Sequence, residues 1–144
     1  RWPAVIPPNT TCEEVVISND FFPTLTELAK ANSNTGVDGI SLVPLFRQHH
    51  KKLNRESIFW HFPHYHGSGL GPQGAIRHGK YKLIEWFEKS AFNETGAFEL
   101  YDLESDPGEL QNLASQKPKI INQLKQELQE WRSEVNAQMM TKAQ

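Results

Sequence analysis

The chain has 144 residues, 38% hydrophobic and 22% charged, with a formal net charge of −2. That suits a soluble globular unit burying about two thirds of its unfolded surface. No run nears the roughly 18 apolar residues of a membrane span, and the single basic cluster, His49-His50-Lys51-Lys52, is too short for a nucleic-acid footprint.

The first eleven residues, RWPAVIPPNTT, hold three prolines and read as extended, with Pro7-Pro8 in polyproline geometry. EEVVIS follows as a β-branched run suited to a short strand. SNDFFPTLTELAKA reads as a helix, with Ser18 or Asp20 as N-cap, Pro23 in the first turn, and Phe21, Leu25 and Leu28 at helical spacing. NSNTG closes it with turn chemistry. In VDGISLVPLF, Asp38-Gly39 turns the chain and Leu42 and Leu45 anchor a short helical or irregular piece.

SIFWHF has strand composition. Pro63 then disfavours helix at Phe62, and Gly67, Gly69, Gly71 and Gly74 make the next stretch a flexible loop. AIRHGKYKLIEWF reads as a hairpin with His78-Gly79 at its tip. KSAFNETG links it to a further strand, AFELYDL, and Asp106-Pro107-Gly108 turns the chain into ELQNLA, a candidate helical turn.

From Pro118 to about Asn136 the pattern is clearest. Ile120, Ile121, Leu124, Leu128, Trp131 and Val135 recur at three and four residues, with Lys, Gln and Glu on the other face. Such a helix must cover something apolar, and the strands before it are its partner. Residues 57–137 therefore read as an α+β unit, a small antiparallel sheet packed against a long C-terminal amphipathic helix. Trp60, Tyr81, Trp86, Tyr101 and Trp131 are expected in the sheet–helix core.

Chemistry has few places to sit. Cys12 is the only cysteine, so no internal disulfide is possible, and Glu13 and Glu14 would raise its pKa rather than activate it. No nucleophile elbow, Walker loop or dinucleotide fingerprint occurs. His61, His64 and His66 stand before the glycines. On a strand, residues three apart diverge, so His61 and His64 do not converge as metal ligands, and no acidic or cysteine partner lies nearby. Recognition at a pocket mouth fits them better, because neutral imidazole both donates and accepts and glycines bring backbone close to a ligand. Arg77 is open between an anion contact and an ion pair. Lys80 reads as a solvated edge lysine that discourages aggregation. Asp102, Glu104, Asp106 and Glu109 lack the spacing of a calcium loop and read as turn and capping groups.

The order of these pieces resembles the C-terminal portion of an arylsulfatase-type sulfatase in the alkaline-phosphatase superfamily. RWP, SNDFFPTLTELA, DGISLVPLF, RESIFWHFPHYH, GAIRHGKYKLIEWFE, FELYDLESDPGELQNLA and LQEWRSEVNA follow in that family's order, across nearly the whole chain. The WHFPHY…GAIR version is similar to bacterial polysaccharide- or glycosaminoglycan-type sulfatases. One departure is Ala4, where the family usually has Gly after Trp-Pro.

The resemblance implies that residues 1–56 are the tail of a larger α/β catalytic domain and 57–144 a C-terminal subdomain. It implies a formylglycine nucleophile made from a Cys/Ser-x-Pro/Ser-x-Arg motif, and a calcium ion held by Asp and Asn or Gln. Cys12 is followed by Glu14 and Val16 and does not match that motif. Both groups are expected upstream, outside this chain, in the N-terminal catalytic portion of the same protein. The chain begins Arg1-Trp2-Pro3 without an initiator Met or targeting run, which suits a partial chain. A periplasmic, extracellular or lysosomal location is implied by family habit alone. The resemblance gives His61, His64, Tyr65 and Arg77 the task of lining the pocket for a sulfated carbohydrate or aryl sulfate. The alternatives are a stand-alone carbohydrate- or anion-binding module, or part of a related phosphonate or phosphodiester hydrolase.

Overall fold

A computed structural model describes residues 2–31 and 36–140. It divides into two compact units, Arg1–Arg55 and Glu56–Gln144. The predicted turn at NSNTG lies outside the described residues up to Thr35.

In the first unit a 3-10 turn, Ser18–Asp20, leads into α1 (Phe21–Leu28), and α2 spans Val43–Arg47. The organising group is polar. Asp20 is fully buried and accepts from both terminal nitrogens of Arg55 at 2.7 Å, from the Ile40 N–H at 3.0 Å and from the Ile17 N–H at 2.9 Å. Thr24 Oγ1 accepts the Leu42 N–H at 2.8 Å, and Gly39 passes so close that a Cβ there would fall 2.0 Å from the Asn19 carbonyl oxygen. One carboxylate thereby ties together segments far apart in sequence.

Three differences from the expectations follow from hydrogen bonding in this unit. EEVVIS forms no strand, because its backbone groups are engaged otherwise: Val15 O takes Arg55 and the Ile17 N–H takes Asp20. Asp20 does precede α1, yet its carboxylate caps no N–H of that helix. The opening residues are not extended either. The Trp2 carbonyl accepts from the Val5 and Ile6 N–H groups, so Pro3 starts a turn.

Burial pushes the Asp20 carboxyl up, but the Arg55 guanidinium and the two backbone N–H groups outweigh it and bring the pKa from 3.8 down to about 2. The folded state binds this proton less readily than the unfolded chain, so acid favours unfolding. Asp20 should contribute about 2 kcal/mol above pH 4, lost progressively as pH falls from about 4 through about 2. An acid titration of unit stability by circular dichroism, run beside Asp20→Asn, checks this; the variant should lack that limb.

The second unit is an antiparallel meander in the order β1-β2-β3-β4, made of β1 (Ser57–Phe62), β2 (Gln73–His78), β3 (Tyr81–Trp86) and β4 (Phe98–Asp102). A short helix α3 (Phe87–Ala91) follows β3, and α4 (Pro118–Glu134) crosses one sheet face. Ile76, Leu83 and Leu100 from the strands meet Leu124 and Leu128 of α4, all at most 2% exposed, and Phe59 stacks on Trp131 at 4.8 Å. This is the α+β arrangement that the helical and strand periodicities predict.

The hairpin tip is shifted by one residue. His78 pairs with Tyr81, so the two-residue loop is Gly79-Lys80, and Gly79 supplies the positive φ of 55°. Lys80 is not simply solvated: it lies 2.8 Å from Asp102. Asp102 and Asp106 do serve as turn caps, accepting from Glu104 and Ser105 and from Leu110 and Gln111. ELQNLA makes no helical turn, because Asn112 and Leu113 extend the sheet edge instead. Asn112 Oδ1 accepts the Leu100 N–H at 3.1 Å, and the Leu113 N–H donates to Leu100 O at 2.8 Å.

Tyr81 and Trp131 pack on the core as expected. Trp60, Trp86 and Tyr101 do not, since strand alternation turns them to the other face. Trp60 is 42% exposed there, and Tyr101 is covered. Burial, with Glu99 beside the phenol, raises the Tyr101 pKa to about 12.

Candidate functional site

The β1–β2 pairing decides which predicted site residues can meet. His61 is paired with Gly74, and Ile58 with Arg77. His61 shares the helix-facing side with Phe59 and Ile76, whereas Arg77 shares the opposite side with Ile58, Trp60 and Phe62. His61 and Arg77 therefore lie on opposite faces of the sheet.

His61 is held from the C-terminal end of α4. Asn136 adopts a left-handed φ of 50°, and the Ala137 N–H returns to Arg132 O at 2.9 Å, a Schellman closure. That closure redirects the chain so that the Gln138 carbonyl sits 2.7 Å from His61 Nε2. A carbonyl only accepts, so Nε2 carries the proton. The ring lies 5.2 Å from that of Phe87 and 6.5 Å from that of Trp131, and its buried Nδ1 has no partner among the described residues. Gly74 leaves room alongside: a Cβ there would lie 2.5 Å from Arg132 Nη2 and 3.0 Å from Phe87 Cζ, so a larger residue would displace the guanidinium. Arg132 itself binds Glu85 at 2.6 Å and sits 4.8 Å over the Phe87 ring.

The loop 63–72 carries the other two residues. His64 is exposed and meets Phe62 edge-on at 5.7 Å. The Tyr65 hydroxyl donates to Glu88 on α3, and that hydrogen bond to a carboxylate raises the phenol's pKa. The loop is braced rather than floppy. The His66 N–H donates to Leu70 O, and the Gly69 N–H returns to His66 O, with Gly69 at a φ of 86°. His66 Nδ1 also accepts from the Ser68 N–H at 3.2 Å, with Ser68 Oγ 2.8 Å away.

On the outer face lies a cavity of about 440 Å³ lined by Trp60, Phe62, Gln73, Arg77, Lys82 and Glu109, among others. Lys82 is neutralised by Glu109 at 2.7 and 2.8 Å. Arg77 donates through Nε to Gly79 O at 3.2 Å and has no carboxylate at ion-pair distance among the described residues. Sequence reasoning assigned Trp60 to the core and gave Phe62 and Gln73 no site role, although the alternation of SIFWHF was the signal that could have placed Trp60 and Phe62 with Arg77.

Residues 1–134 match the family model described as N-sulphoglucosamine sulphohydrolase, C-terminal. This chain belongs to the sulfatase family, as a C-terminal portion. It is 35% identical to a sulfatase of Formosa agariphila over 130 residues, which cover 82% of this chain and 22% of that protein. It is 36% identical to human arylsulfatase A over 145 residues, covering 87% of this chain and 28% of that protein. Among solved structures, BT4656 in complex with its substrate D-glucosamine-2-N,6-O-disulfate superposes with a TM-score of 0.76 at 25% identity, over 92% of this chain and 27% of that one. This sulfatase segment thus spans about a quarter of the length of the relatives it matches.

Among the described residues no group of three or more His, Cys, Asp or Glu is placed to hold a metal ion. No described helix is long and apolar enough to cross a membrane.

Proposed function

We propose that this chain is the C-terminal portion of a sulfuric ester hydrolase acting on a sulfated carbohydrate. In this reading it supplies substrate-selective contacts, while the remainder of the parent protein supplies the nucleophile. The observation that carries it is the family match over residues 1–134, reinforced by the similarity to BT4656, solved with its substrate, a disulfated glucosamine. Calcium, which the sulfatase resemblance implies, belongs in this reading to residues of the remainder, where it would neutralise sulfate oxygens. His64 and Arg77 are the groups proposed to meet the sugar or a sulfate other than the one cleaved, with Tyr65 assisting; His61, on the opposite face of the sheet from Arg77, is left out of that contact. Among the described residues no carboxylate lies at ion-pair distance from Arg77, and its hydrogen bond to Gly79 O is made from Nε; this supports an anion contact through its terminal nitrogens.

The test uses the parent enzyme. Arg77→Ala and His64→Ala should each lower kcat/KM on a sulfated glucosamine by about 10- to 100-fold, the loss of one charge-assisted hydrogen bond. Turnover of a small aryl sulfate, which lacks the sugar contacts, should hardly change. Equal losses on both substrates, with melting temperature intact, would sink the specificity role.

A further inference from the structure

The helix α1 buries the wrong side for a helix packed within its own unit. Its only buried residue is Thr24, while Phe21 is 61% exposed, Phe22 56%, Leu25 63% and Leu28 38%. At 100° per residue Phe21, Leu25 and Leu28 form one stripe, with Phe22 widening it. An amphipathic helix ordinarily hides this stripe. Here it is held from its polar side, through Thr24 to Leu42 and through Asp20, just before the helix, to Arg55 and Ile40. The apolar stripe is thus presented on a fixed support, with nothing charged among its four members to suit it to water.

We infer that this stripe is the seat on which the rest of the parent sulfatase packs. The occupant is an apolar surface of the other three quarters or so of the protein, because the chain covers only 22% and 28% of the length of its relatives. An apolar stripe without charges fits a permanent intramolecular contact better than a transient partner, whose surface would be more polar. The inference rests on the reading above that this chain is part of a longer sulfatase, and it adds which residues make the joint.

Hydroxyl-radical footprinting of the 144-residue chain and of the full-length parent, side by side, tests it. Phe21, Phe22 and Leu25 should label readily in the 144-residue chain, and their labelling should fall several-fold in the parent. Equal labelling in both overturns the inference. So does protection in the 144-residue chain that grows with its concentration, which would mean that a second copy covers the stripe. As a second measurement, Leu25→Ser should lower the parent's melting temperature and leave that of the 144-residue chain unchanged; equal shifts would count against the joint. Sulfatase activity of the same parent preparation is read separately. An inactive parent with a protected stripe would refute the functional reading and keep the joint, whereas an active parent with a labelled stripe would do the reverse.

Discussion

Asp20→Ala should destabilise the Arg1–Arg55 unit by about 3–5 kcal/mol, the range found when one partner of a buried ion pair is removed. The cost comes less from the attraction lost than from what is left behind. Arg55, whose side chain is only 13% exposed, would keep its charge with no carboxylate. The Ile17 and Ile40 N–H groups would lose their acceptor as well. Asp20→Asn retains the shape and one acceptor oxygen, so its loss should be smaller. Hydrogen exchange at the Ile17 and Ile40 amides, with urea unfolding alongside, measures both variants. A loss for Asp20→Ala under about 1 kcal/mol, the value of an exposed pair, would show that the carboxylate is not the organising group.

In the second unit the largest effect is expected from Leu128→Ala, at about 3–5 kcal/mol. Leu128 is 1% exposed and closes the layer formed by Ile76, Leu83 and Leu100. Truncation there leaves a void that β-sheet backbone on one side and a long helix on the other cannot collapse to fill. Leu110→Ala is the matched control: Leu110 is 86% exposed, and its loss should stay within about 0.5 kcal/mol. Thermal and urea unfolding of both variants would decide, and similar losses would mean that α4 does not seal this face.

Sequence periodicity was informative wherever burial is one-sided and local. SIFWHF became β1 with the bounds Ser57–Phe62, and the leucine and isoleucine pattern after Pro118 became α4 with Leu124 and Leu128 innermost. It was uninformative where a side chain replaces backbone. EEVVIS has strand composition, but Arg55, many residues later, binds its Val15 carbonyl. ELQNLA lost its helical turn to one amide, Asn112, which serves both Leu100 and Ala114. For the candidate site, the sequence offered residues but not their grouping. Alternation along one strand separates neighbours by face, yet only the β1–β2 register, with Gly74 opposite His61, says which residue of the next strand shares each face. The apolar stripe of α1 was visible as Phe21, Leu25 and Leu28, but which side the unit would cover depended on Asp20 and Arg55, a pairing no local pattern announces.

The two connections flanking β2 differ in what they permit. Between β2 and β3 only Gly79 and Lys80 intervene, so one inserted residue there would slip the pairing and exchange the sheet's inner and outer surfaces. Between β1 and β2 the chain spends residues 63–72, where even a doubling of length costs only about 0.6 kcal/mol of closure entropy. Natural variation can therefore rewrite the histidine-bearing loop while the scaffold beneath stays untouched.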